Sequence, residues 1–244
     1  MLGECKHVQR LLTLFTFSAM ALILFVGCSR GSEDSHEESP TAQDIIESAA
    51  SKWNETESVR FELDVDGVAY LDNDKTIRLQ EAEGDAARPD AVEASAKIGA
   101  GFLTVDIGLI FLGPDAYMTD ILSGAWGPAP ADFSYNPAIL FSSENGLGPV
   151  LRELQEPEVV GEEATNGTNA YHLRGTVEAG VIDAITAGTI SGDPINVDLW
   201  FATEDYRALR IVLATPDDAD GEPTIWTIDL FDHDQDVEIE RPAS

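Results

Sequence analysis

From Val59 to Val65 the chain alternates strictly, with Val59, Phe61, Leu63 and Val65 apolar and Arg60, Glu62, Asp64 and Asp66 charged. Side chains on a strand point to opposite faces in turn, so this period of two predicts a half-buried β-strand over about 59–69. Further strands are predicted near 76–83, 90–99, 102–112 and 115–120, punctuated by Gly84, Pro89, Gly99, Gly113 and Pro114. A second set is predicted at about 156–164, 168–178, 195–202, 206–214, 224–232 and 236–240. The connections are short, which favours an antiparallel meander over parallel βαβ units.

Helical spacing occurs at the start and in the middle. Thr41 with Asp44 three residues on is a capping pair, and Ile45, Ile46, Ala49, Ala50 and Trp53 behind it share one face. Asn136 and Pro137 form a cap and first-turn pair before Ile139, Leu140 and Phe141. Leu147, Val150, Leu151 and Leu154 make a second apolar stripe, and Val181, Ile182 and Ile185 a third. Strands, then helices, then strands again is the α+β order of a large sheet covered on one face. The chain has no internal repeat.

The first residues do not fit this pattern. Lys6 and Arg10 precede an uncharged run over 11–27 that ends at Cys28. This is the layout of a secretory signal peptide spanning 1–27; the competing reading, a membrane-spanning helix, needs about 20 apolar residues. Residues 29–41 contain no aliphatic or aromatic side chain, so 28–41 reads as a flexible acidic tether with a root-mean-square reach of roughly 20 Å. Residues 42–244 then form a single domain.

Composition sharpens the picture. With 14 Lys and Arg against 45 Asp and Glu, the net charge of −31 excludes binding to nucleic acid through phosphate neutralisation and argues against adhesion to anionic lipid by charge. A hydrophobic content of 43% is too high for a disordered acidic chain. The two cysteines, Cys5 and Cys28, both precede the domain, which therefore has no disulfide, thiolate zinc site or cysteine nucleophile.

Candidate chemistry is sparse. Gly27-Cys28-Ser29-Arg30-Gly31 spells the G-x-S-x-G nucleophile elbow but straddles the predicted cleavage site instead of joining a strand to a helix. His172 and His233 are the histidines left to the domain, each on the polar side of a predicted strand. Asp232, Asp234, Asp236 and Glu238 have the spacing of calcium ligands, as do Asp217, Asp218 and Asp220. The first run offers Val237 where an EF-hand needs Gly and Ala243 where it needs a carboxylate, so it reads more simply as a solvated stripe along a sheet edge. No metal and no cofactor are expected.

Two stretches carry a family resemblance. One runs from Asn136-Pro137-Ala138-Ile139-Leu140 through Gly146-Leu147 and Val150-Leu151 to Asn166-Gly167-Thr168-Asn169-Ala170-Tyr171-His172-Leu173. The other is Pro194-Ile195-Asn196-Val197-Asp198-Leu199-Trp200-Phe201, followed by Leu209-Arg210-Ile211-Val212-Leu213 and Trp226. With Gly27-Cys28, which resembles a lipobox although Phe25 stands where Leu is usual, these resemble the LppX/LprAFG family of cell-envelope lipoproteins. The resemblance implies a fold similar to the LolA/LolB carriers, a large curved antiparallel sheet or half barrel with helices covering its concave face. It also implies acylation of Cys28, an extracytoplasmic location on the cell membrane, an acylated lipid or glycolipid as ligand and a membrane transporter as partner. The helix stripes supply the candidate cavity lining: Ile139, Leu140, Leu147, Val150, Leu151, Leu154, Val181, Ile182 and Ile185. The same residues would equally fill an ordinary core.

Three functions follow from different requirements. A carrier needs a large apolar void, a sensing or binding module of the same fold a filled core with an exposed patch, and an enzyme a convergent polar site.

Overall fold

In the computed structural model the described residues are 39–70, 76–130, 137–186, 190, 192, 194–215 and 223–243. The predicted signal peptide, most of the tether, Asn136 and the Asp217–Asp218–Asp220 run lie outside them. Thr41 caps the first helix as its spacing predicts: its hydroxyl accepts the Asp44 N–H at 3.2 Å, while the Asp44 carboxylate accepts the Thr41 N–H at 3.0 Å. Helix α1, Ala42–Glu55, buries Ile45, Ile46, Ala49, Ala50 and Trp53.

Eleven strands follow: β1 (Ser58–Tyr70), β2 (Ile77–Ala87), β3 (Ala91–Ala100), β4 (Leu103–Leu112), β5 (Asp115–Thr119), β6 (Trp126–Pro128), β7 (Gln155–Thr165), β8 (Thr168–Val177), β9 (Ile195–Ala202), β10 (Ala208–Ala214) and β11 (Ile225–Phe231). They form one antiparallel sheet in the order β6-β5-β4-β3-β2-β1-β11-β10-β9-β8-β7. The two meanders meet where the last strand pairs with the first: Phe61 lies opposite Leu230 and Leu63 opposite Ile228. That pairing turns two local hairpin series into one curved half barrel. Between β6 and β7 come a five-residue 3-10 helix (Pro137–Phe141) and helix α2 (Leu147–Arg152), and helix α3 (Ala179–Thr186) follows β8. All pack on one face of the sheet in a continuous apolar core. Among the described residues no helix is long and apolar enough to cross a membrane.

The departures from the sequence expectation have local causes. Gly84 and Gly99 sit inside β2 and β3 instead of ending them. At Gly84 the reason is close approach: a Cβ there would fall 2.1 Å from the Glu93 carbonyl oxygen on the neighbouring strand. The turn is made instead at Arg88, Pro89 and Asp90. β6 has only three residues, too short to carry a period. The Pro137 segment winds as a 3-10 helix, and α2 stops at Arg152, leaving Leu154 beyond its end.

Residues 236–240 are not a strand. Asp234 instead accepts the Glu57 N–H at 2.8 Å, and Asp234 N–H donates to the Ser58 carbonyl at 2.9 Å, so the tail is tied under the start of β1. The acidic stripe along a sheet edge belongs elsewhere: edge strand β7 exposes Glu156, Glu162 and Glu163 and contains Pro157, which discourages pairing with another chain.

Candidate functional site

The helical layer is fastened to the sheet at one corner. The Trp53 indole N–H donates to the Leu140 carbonyl at 2.8 Å, and its ring stacks on Phe141 with centroids 5.4 Å apart. Arg88, in the β2–β3 turn, donates to the carbonyls of Thr56 at 2.6 Å, Phe141 at 2.7 Å and Trp53 at 3.0 Å. These carbonyls lie at the end of α1 and of the 3-10 helix, where intrahelical donors run out, and one guanidinium reaches all three, sharing that of Trp53 with the Thr56 N–H. Its plane also lies 4.9 Å from the Phe141 ring centre. Nothing in the sequence pattern marks Arg88 for this role, because its partners are backbone atoms far away in the chain.

Away from that corner the roof meets the sheet through apolar side chains. A void of about 50 Å³ lies there, lined by Leu140, Leu147, Val150, Leu151, Leu154, Val177, Ile182, Ile185, Val197, Leu199, Ile211, Leu213 and Ile228. Every lining side chain is aliphatic. Seven of the nine candidate residues named from the helix stripes are in this wall; Ile139 and Val181 are partly buried nearby but do not line it. Helical geometry accounts for both. Ile182 and Ile185, three apart, share a face of α3, whereas Val181 is rotated away by about 100°; in a 3-10 helix neighbours such as Ile139 and Leu140 diverge by about 120°.

The other half of the wall comes from the sheet: Val177, Val197, Leu199, Ile211, Leu213 and Ile228. Strand alternation says that these point inward, but not which inward residues meet a helix and which meet a void. Towards the middle of the sheet the same face continues in Phe61, Leu63, Val65, Trp226 and Ile228, all only partly buried.

The void is small compared with the large one expected of a carrier, roughly the share of one or two water-sized molecules. Facing apolar walls close on each other because unfilled space forfeits dispersion contacts. The roof is three short segments, of five, six and eight residues, so rearranging it breaks no long helix.

The opposite face carries a polar cluster. His172 stacks on Trp200 with centroids 4.2 Å apart, its Nε2 2.6 Å from Asp198 and its Nδ1 3.3 Å from Glu163. Glu163 also accepts the Trp200 indole N–H at 2.6 Å, and Arg174 donates to Asp198 at 3.0 Å. The cluster pins β7, β8 and β9 together across their polar face. His233 lies in the turn after β11, not on a strand, and burial pushes its imidazole below the ordinary value of 6.5. Its Nε2 is buried without a hydrogen-bond partner among the described residues. Among those residues no group of three or more Asp, Glu, His or Cys is arranged to hold a metal ion.

An eleven-stranded antiparallel sheet roofed by short apolar helices over an aliphatic void defines the class of fold. The family model for LppX_LprAFG lipoproteins matches residues 41–239, and the chain belongs to that family of cell-envelope lipoproteins. The chain is 28% identical over 95% of its length, and 96% of the relative's, to the lipoarabinomannan carrier protein LprG of Mycolicibacterium smegmatis. It is 25% identical to the protein of the same name from Mycobacterium tuberculosis, over 85% of this chain and 86% of that one. Among solved structures, LprF from Mycobacterium bovis superposes with a TM-score of 0.64 at 22% identity, covering 83% of this chain and 97% of that one. LppX from Mycobacterium tuberculosis gives 0.58 at 14% identity, covering 82% and 98%. These two likenesses concern the fold.

Proposed function

We propose that this protein is a carrier anchored through an acylated Cys28, which takes the acyl chains of a lipid or glycolipid between its short helices and the sheet and helps move them through the cell envelope. The observation that carries this reading is the wall of thirteen aliphatic side chains without a polar group, seven from the roof side and six from the strands. Each methylene buried there contributes about 0.8 kcal/mol, so a long chain is held without any catalytic or charged group. The nine stripe residues from Ile139 to Ile185 then fall into two groups. Leu140, Leu147, Val150, Leu151, Leu154, Ile182 and Ile185 would touch ligand, while Ile139 and Val181 would support them. The LprG relatives, named as lipoarabinomannan carriers, support a lipid-linked glycan as cargo.

Solvent extraction of the purified protein followed by mass spectrometry tests the reading. A long-chain lipid recovered in near-stoichiometric amount, and lost on replacing Leu151 by Trp, is the expected result. The narrowness of the void favours a second reading, a filled-core binding or sensing module, and an extract free of lipid together with failure to take up lipid from vesicles would select it.

A further inference from the structure

Two hairpin tips at one end of the sheet are apolar and exposed. Following the pairing across the sheet, Gln155 of β7, Thr176 of β8, Asn196 of β9, Ala214 of β10, Ile225 of β11, Tyr70 of β1 and Ala100 of β3 fall at one end. At this end the β3–β4 hairpin turns through Gly101 and Phe102, and the β5–β6 hairpin through residues 120–125. Phe102 is 98% exposed, Leu122 91% and Leu103 48%. Neither tip is loose chain. Gly101 adopts φ +62 in the tight turn that holds Phe102 outward. Asp120 accepts the N–H groups of Leu122 and Ser123 at 3.2 and 2.8 Å, and its carbonyl accepts Gly124 N–H at 2.8 Å, which fixes Leu122 at the crest.

Charge sets the two tips apart from their surroundings. In a chain with 24% charged residues, 98–105 and 121–131 contain none. The same end also carries the acidic β1–β2 and β10–β11 connections, with Asp72, Asp74, Asp217, Asp218, Asp220 and Glu222, so the uncharged stretches are local to the β3–β4 and β5–β6 tips. Each two-strand step across a sheet is about 10 Å, so the two tips are separate points and not a continuous patch. A protein partner would need a contiguous complementary surface of roughly 800 Å² on each side, whereas a fluid bilayer accepts isolated apolar points without shape complementarity.

The start of α1, where the described domain begins, lies toward this same end. Glu47, in the N-terminal half of α1, is paired at 2.9 Å with Arg152, three residues before β7 begins at Gln155. The void is here too, since Val177 and Leu213 close strands at this end.

We propose that Phe102 and Leu122 are membrane-insertion tips: with the domain's N-terminus they set this end of the sheet against a lipid bilayer, so that the cleft faces the surface from which cargo is drawn. The purpose assigned to the tips rests on the carrier reading, but their depth in the membrane is measured without cargo. Each side chain moved from water into the interface contributes roughly a tenfold change in partitioning. Binding by charge does not enter, because a chain of net charge −31 is repelled by anionic headgroups.

The test uses the full chain reconstituted in phosphatidylcholine vesicles, with a nitroxide on Phe102→Cys or Leu122→Cys, on Glu204→Cys at the other end as control, and on the parent with no added cysteine as background. Collisions with lipid-dissolved oxygen and with an aqueous nickel chelate give depth. The tip labels should be reached by oxygen and shielded from nickel, while the Glu204→Cys label meets nickel freely. Tip labels as open to nickel as the control would overturn the proposal. So would tip labels shielded from both reagents, which is the signature of a protein contact or a second copy. In the same system, Phe102→Ser combined with Leu122→Ser should slow lipid transfer by tenfold or more while leaving the amount bound at equilibrium unchanged. If the tips enter the bilayer but no lipid is ever bound, the tip assignment stands and the carrier reading falls.

Discussion

Arg88 concentrates more of the architecture than any other polar residue described. Its hydrogen bonds to the carbonyls of Trp53, Thr56 and Phe141 join the β2–β3 turn, the end of α1 and the 3-10 helix at one point. Replacing it with Met keeps much of the stem but removes the guanidinium donor from the Thr56 and Phe141 carbonyls and one of two donors from that of Trp53. The expected loss is about 2–4 kcal/mol, read as a lower denaturation midpoint at unchanged slope. His233 makes a different prediction. Burial, the largest influence on it, lowers its folded-state pKa below the unfolded value of 6.5. As pH falls the unfolded chain therefore takes up the proton first, and stability declines from just above 6.5 down to the folded-state value. His233→Phe should lose less stability than the parent between about pH 7.5 and about pH 5.5. Equal losses would show that the imidazole is not proton-linked to folding.

Among the elements, the roof was legible and its floor was not. Leu147, Val150, Leu151, Ile182 and Ile185 announce themselves because helical spacing selects one face, and that face meets the sheet in α2 and α3. The strand residues opposite, such as Val197, Leu199 and Leu213, alternate like every other inward residue of an eleven-stranded sheet. Whether one of them meets a void depends on how β8 to β11 align, which is a matter of pairing between distant segments. Glycines misled for a related reason. Gly84 reads as a stop, yet its role is to let β2 and β3 approach where Glu93 would strike any Cβ. Gly84→Val should cost about 1–3 kcal/mol or prevent folding, checked by thermal unfolding, whereas the same change at Gly124, with no atom within 4 Å of a Cβ, leaves the neighbours undisturbed and costs only the strain of its φ of +69.

At the scale of the whole molecule, the order of strands and helices already implied a sheet covered on one face, and the closure of β1 on β11 supplies what that order leaves open: a single curved sheet whose two halves share one core. The carrier account adds an anchor. Replacing Cys28 with Ala should abolish acylation and normal processing, measured as loss of the acyl mass on the mature N-terminus. Unaltered processing would remove the anchor from the account without touching the cleft.

The central claim, that the cleft between roof and sheet holds acyl chains, is tested most directly by Leu151→Trp. Leu151 is buried at 3% exposure in the middle of the α2 stripe and lines the void. Lipid transfer from vesicles and the denaturation midpoint are measured on the same protein. The account predicts that the indole occupies ligand space, so that uptake falls sharply while the midpoint changes little. A midpoint lowered by the 1–3 kcal/mol typical of an overpacked core, in a protein whose parent takes up no lipid, would contradict it.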